Sequence, residues 1–148
     1  MVPPKSTDAP SWLARALREV GVREIIGAHH NPRVLQYHQA TRLKALNDET
    51  AWCASFVCWC LENEGVNSTR SAAAASFIKW GVECPAQPGA VIVFGKHDPD
   101  AKGSGHVGFI ANMMSGGKVE VVSGNCNNAV RMKVYDLSTA VAVRWPTF

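Results

Sequence analysis

Hydrophobic and polar positions follow two different periods along this chain, and the change falls near Cys84. Upstream, apolar residues recur at helical spacing. Trp12, Leu13, Ala16, Leu17 and Val20 line one face behind a cap at Ser11, with Gly21 as the stop, which predicts a short first helix. Asn31-Pro32 places a cap before a proline at the first helical position, so a second helix is expected through Val34, Leu35 and His38. A third is expected from a cap at Thr50 or Asp48 to Gly65. A fourth runs from Ser71 to Trp80, closed by Gly81.

Beyond Cys84 the pattern is that of strands. Pro85 to Gly89 is turn chemistry, and the β-branched run Ala90 to Phe94 follows it. Residues 95–105 read as a polar loop. His106–Ala111 and Lys118–Ser123 read as two strands around a turn at Asn112–Gly117, and a last strand covers about Ala140–Trp145. Helices first and strands second imply an α+β fold, an antiparallel sheet with helices on one side. Residues 1–10 hold three prolines and no periodicity, and read as an arm before a single domain over 11–148.

Composition narrows the class. A length of 148 residues is enough for one domain with its own core. Charged residues make up 18%, too few for a disordered polyampholyte. The net charge of +3 suits an anionic polymer, yet no Lys/Arg block points to nucleic acid. The nearly apolar run Ala51–Leu61 falls short of the ~20 residues of a membrane span. Met1–Asp8 has no apolar segment of the signal-peptide kind, so cytoplasmic synthesis without a signal peptide is expected. Five cysteines are an odd number, and Cys58 and Cys60, two apart on a helix, point to different sides. Reduced thiols are therefore expected, not a disulfide framework.

One of those thiols stands apart. Cys53 falls in the first turn of the third helix, where unpaired N–H groups and the helix dipole act like about half a positive charge and favour thiolate. Cys60 shares the buried face with Cys53, Phe56, Val57 and Leu61 and reads as an inert core residue, while Cys58 lies off that face. Among the histidines, His106 begins a strand directly after Gly103-Ser104-Gly105, and Gly108 beside it removes another side chain, as if something approaches that face. A hairpin turn centred between Ser115 and Gly116 would set Asn125 across from His106. A two-residue turn at Gly116-Gly117 would set Asn127 there. Either amide oxygen could accept from one imidazole nitrogen and turn the other toward the thiol.

Three other patterns are rejected. Gly103 to Gly108 spells G-x-G-x-x-G but leads into a strand, not a helix. Asp98 to Gly103 imitates the start of a calcium loop, but Phe109 stands where its last ligand would be. Cys53, Cys58 and Cys60 lack zinc-ligand spacing, so no metal is expected.

Taken in order, Ala51-Trp52-Cys53-Ala54-Ser55-Phe56-Val57 with Trp59, Trp80-Gly81, Pro88 to Phe94, Gly105-His106-Val107-Gly108-Phe109 and Ser123-Gly124-Asn125 resemble the CHAP and NlpC/P60 superfamily of peptidoglycan hydrolases. The likeness covers residues 11–146 and is strongest to the small single-domain subgroup of phage lysins and secreted toxins. It implies a papain-like fold and cleavage of an amide bond in the wall peptide, or between muramic acid and L-Ala, without a cofactor. By position it makes Cys53 the nucleophile, His106 the base and Asn125 the orienting residue, with Trp52, Ser104 and Gly105 as substrate-binding candidates. Ser123 stands where some CHAP members carry Glu, which leaves Asn125 as sole orienter. Trp52 and Ala54 replace the Asp and Ser by which many NlpC/P60 members contact a substrate amine. The expected partner of this monomer is bacterial peptidoglycan, reached through a phage pore or an injection apparatus, the latter with a cognate inhibitor protein. The alternatives are acyl transfer or protein deamidation by the same triad, and a non-catalytic wall-binding module.

Overall fold

The computed structural model describes residues 9–23, 31–41, 52–95, 105–126 and 128–147. Within them, helices α1 (Ser11–Arg18), α2 (Pro32–Gln39) and α3 (Cys53–Glu62) precede strands β1 (Val82–Glu83), β2 (Val91–Phe94), β3 (His106–Met114), β4 (Lys118–Cys126), β5 (Ala129–Asp136) and β6 (Ala140–Trp145). The strands form one antiparallel sheet in the order β1-β6-β2-β3-β4-β5. This is the expected α+β arrangement.

Local chemistry explains the helix starts. Asn31 accepts a hydrogen bond from the Arg33 N–H at 2.8 Å, and Pro32 fills the first position of α2. In α1 the cap position belongs to Pro10, and Ser11 is already helical. That helix stops at Arg18, so its buried stripe narrows to Trp12, Leu13 and Ala16, while Leu17 and Val20 are exposed. The cap candidates Asp48 and Thr50 lie outside the described residues, and Trp52 holds the cap position of α3.

The α3 helix is not buried on one face alone. Every residue from Cys53 to Leu61 is buried, because the helix packs against α1, α2, β3 and β4 at once. Charged side chains lock this packing from outside. The Arg15 and Arg33 guanidinium groups lie over the Trp59 ring at 5.4 and 5.3 Å, while Arg15 pairs with Glu64 and Arg33 with Glu19. No helix among the described residues is long and apolar enough to cross a membrane.

Besides the short β1, which pairs with β6, two elements depart from expectation. The helix predicted over Ser71–Trp80 is a 3-10 turn at Ala74–Phe77. Ser71 and Thr69 use their hydroxyls on the N–H groups of Ala73 and Ser71, and the backbone closes i to i−3 bonds instead. With only Ala74 and Phe77 buried, no stripe exists to stabilise a longer helix. The second departure is β5, a strand over Ala129–Asp136 that pairs with β4 along most of its length. Its residues alternate, with Val130 and Met132 turned to the helix side.

The sheet has an apolar layer on each face. Val91, Val93, Val107, Phe109, Ala111, Val122 and Val130 join the helices in the main core. Ala90, Ile92, Phe94, Ile110, Val119, Val121 and Tyr135 form a second cluster.

Candidate active site

Cys53 is the first residue of α3 and 5% exposed. The Phe56 N–H already bonds the Trp52 carbonyl at 2.9 Å, so the N–H groups of Cys53, Ala54 and Ser55 precede the first helical hydrogen bond. These donors are set beside the thiol at the helix start. The other thiols of this helix sit in a different environment. Burial pushes Cys60 well above the ordinary thiol range and pushes Cys58 up as well, although Thr69 and Ser71 offset part of the Cys58 shift. Both therefore stay protonated at neutral pH, and no disulfide joins any of the five cysteines.

His106 opens β3 and is fully buried. The residue before it has φ +128, and a side chain there would meet the Phe94 carbonyl oxygen, so Gly105 lets the chain turn closely past β2 to present the imidazole. The ring centroid lies 6.5 Å from that of Phe94 and 6.3 Å from that of Tyr135. Its Nε2 is 2.9 Å from Ser123 Oγ.

That last contact adds Ser123 to the residues around the imidazole. The β3–β4 register, Phe109 opposite Val122 and Ile110 opposite Val121, is the one that extends to Asn125 across from His106. Regular β4–β5 pairing shifts after Ser123, however, and Asn125 adopts φ +56 in the left-handed region. Its amide oxygen is buried with no hydrogen-bond partner. Ser123 is the residue whose hydroxyl bonds the imidazole. Gly108 makes this possible, since a Cβ there would lie 2.7 Å from the Ser123 Cβ. The missing side chain that suggested an approaching ligand accommodates Ser123 itself.

The next residue of β4 joins the two halves of the site. A Cβ at Gly124 would lie 2.7 Å from the Phe56 Cβ and 2.8 Å from the Trp52 ring. The Ser123-Gly124-Asn125 segment thus touches the start of α3 with its middle residue and the imidazole of His106 with its first.

The substrate-binding candidates fare differently. Trp52 is fully buried, stacked on Tyr37 at 5.7 Å and covered by Gly124, so its indole is part of the core. Gly105 is buried and shapes the chain. Ser104 and Asn127 lie outside the described residues, as do His29, His30 and His97. A second buried imidazole stands nearby: His38 Nδ1 is 2.9 Å from Ser55 Oγ and ties α2 to the first turn of α3. Among the described residues no cluster of three His, Cys, Asp or Glu could hold a metal ion.

In the sequence, Ser123 stands out only as a replacement for Glu. Two signals pointed to more: Ser123 is the register partner of Gly108, and Gly108 is the gap it fills. The sequence model of the CHAP domain matches residues 45–125, more than half of the chain, and spans Cys53, His106, Ser123 and Asn125. No curated protein matches the chain.

Proposed function

Because the chain belongs to the CHAP domain family, we propose that it hydrolyses an amide bond of bacterial peptidoglycan, with Cys53 as nucleophile and His106 as general base and acid. Membership implies cysteine- and histidine-dependent amidohydrolase or peptidase chemistry, generally on peptidoglycan. The observation that carries the residue assignment is the β4 segment Ser123-Gly124-Asn125, which rests on the α3 start that bears Cys53 and reaches the His106 ring.

Each step of the chemistry has a group to perform it. With Nε2 engaged by Ser123, Nδ1 is the imidazole nitrogen that takes the Cys53 proton. The thiolate sulfur bonds to the amide carbon, and the carbonyl electron pair moves to oxygen. The N–H groups at the start of α3 face that oxyanion. The imidazolium gives its proton to the leaving nitrogen as the C–N bond breaks, leaving a thioester on Cys53. His106 then takes a proton from water, which attacks the thioester carbon and releases the acid and the thiol. Asn125 lies beside this path with its buried amide oxygen turned to no protein donor. The bond cut is an interior wall-peptide bond or the muramoyl-L-alanine amide.

Purified protein incubated with isolated cell walls tests the reading. The parent should release soluble peptide or glycan fragments, and Cys53→Ala and His106→Ala should release none above buffer. Full release by Cys53→Ala would overturn the assignment. Transfer of an acyl group to an added amine, read by mass, would instead identify acyl transfer.

A further inference from the structure

The catalytic reading leaves one charged side chain without a task. Arg131 on β5 pairs directly with Ser123 on β4, the residue that holds His106. Directly opposed residues of an antiparallel pair share a face of the sheet. Val130 and Met132, on either side, pack into the helix-facing core, so Arg131 is on the face of Ser123 and His106. Its Nε is buried and has no hydrogen-bond partner. The described ion pairs use Glu19, Glu62 and Glu64 on Arg33, Arg70 and Arg15, and none reaches Arg131.

A buried guanidinium N–H without an acceptor is costly, and such a group calls for a specific reason. Its surroundings supply one. Lys133 is next on the same face and sits 5.2 Å over the Tyr135 ring, whose centroid is 6.3 Å from that of His106. Positive charge therefore runs along β5 beside the candidate base. Arg131 also borders, with Arg23, a cleft of about 400 Å³ at the β5 edge. Two residues along β4 from Ser123, the Asn125 amide oxygen is a second buried polar atom without a partner. A buried donor thus lies across the strand pair from Ser123, and a buried acceptor two residues along its own strand.

We propose that Arg131 binds a carboxylate of the substrate peptide next to the scissile amide, while Asn125 accepts an N–H of the same peptide. The inference rests on the wall-hydrolase reading and specifies its substrate: a peptide that carries a free carboxylate near the bond cut. Arginine suits this task because its planar fork matches a carboxylate with two parallel hydrogen bonds.

Calorimetric binding to the Cys53→Ala protein tests the idea without turnover. The probes are two synthetic wall tetrapeptides of one sequence, one with all carboxylates free and one with all carboxylates as primary amides. The free form should bind at least about tenfold more tightly, the scale of one charge-assisted contact. Arg131→Gln, added to Cys53→Ala, should lose that advantage while its affinity for the amide form stays unchanged, and Arg131→Lys should keep part of it. Equal affinity of the Cys53→Ala protein for the two forms overturns the proposal. So does failure to bind the free form, or an Arg131→Gln protein that retains the preference. Should Arg131→Gln not fold, the two-peptide comparison on Cys53→Ala alone decides. Because no cleavage is measured, the outcome is read separately from whether Cys53 is the nucleophile.

Discussion

Replacing Ser123 by alanine removes one hydrogen bond from a fully buried imidazole, and the consequences follow from that loss. His106 and Ser123 are both inaccessible, so water cannot take the place of the hydroxyl 2.9 Å from Nε2. Leaving a buried polar group unmatched costs about 1–3 kcal/mol. For a domain of this size each kcal/mol lowers the melting midpoint by roughly 2–4 °C. The kinetic effect is separate. Without Ser123 the ring is free to change tautomer and rotamer, so only part of the population presents Nδ1 to the thiol. A population penalty of the same size lowers kcat about 5- to 140-fold, at 1.4 kcal/mol per decade, and leaves KM nearly unchanged. Steady-state release of fragments from a soluble muropeptide, with a melting curve for each variant, measures both.

Gly108→Ala provides the control. It keeps the hydroxyl but places a Cβ 2.7 Å from the Ser123 Cβ, which forces that side chain off the imidazole. The same fall in kcat is expected, from a substitution that removes no polar atom. A Ser123→Ala protein with parental kcat would refute the positioning role. So would a folded Gly108→Ala protein with parental kcat.

Two further outcomes are expected. Gly124→Ala drives a methyl into Phe56 and Trp52 at 2.7–2.8 Å, so it should cost about 1–3 kcal/mol and drop the melting midpoint by several degrees; an unchanged midpoint would show that β4 does not rest on the start of α3. Glu64 is held below the ordinary carboxylate range, chiefly by its hydrogen bond from Arg15, so its contribution is present above the unfolded-state pKa near 4.5 and is lost as pH falls through the lower folded value. Glu64→Gln should therefore melt below the parent at pH 7, by an amount matching about 1 kcal/mol or less, and the gap should close on acidification below pH 4; a gap that persists there would refute the pairing.

What the sequence made legible was what is local. Asn31-Pro32 fixes its own helix start through one side-chain bond, and the Val91–Phe94 run forms a strand wherever it packs. Cys53 at a helix start and His106 behind Gly105 were readable for the same reason, since each depends on its immediate neighbours. The Ser71–Trp80 segment misled because alanines favour a helix by propensity, yet hydroxyl side chains and the absence of a buried stripe decide the outcome. The contact of Ser123 with His106 was not legible because register alone points to Asn125. Register does set Asn125 toward His106, but a left-handed residue after Gly124 takes the amide out of the ladder, and no pattern of residue types announces that.

The β5 strand shows how one missed element propagates to function. Its alternation was present in Val130-Arg131-Met132-Lys133-Val134-Tyr135, but charged residues interleaved with apolar ones resemble a solvated loop when the partner strand is unknown. Once β5 lies along β4, the pairing of Arg131 with Ser123 follows from geometry, and so does the charge beside His106. The family match ends at residue 125, before β5 begins. The cysteine and histidine fall inside that match, whereas the residue argued to read the substrate lies beyond it. On the proposed roles, β5 carries substrate choice while the nucleophile and base lie in the matched segment. Exchanging β5 residues 129–136 with those of a related domain should then move carboxylate preference without abolishing cleavage, and loss of all cleavage in a folded exchange protein would contradict the separation.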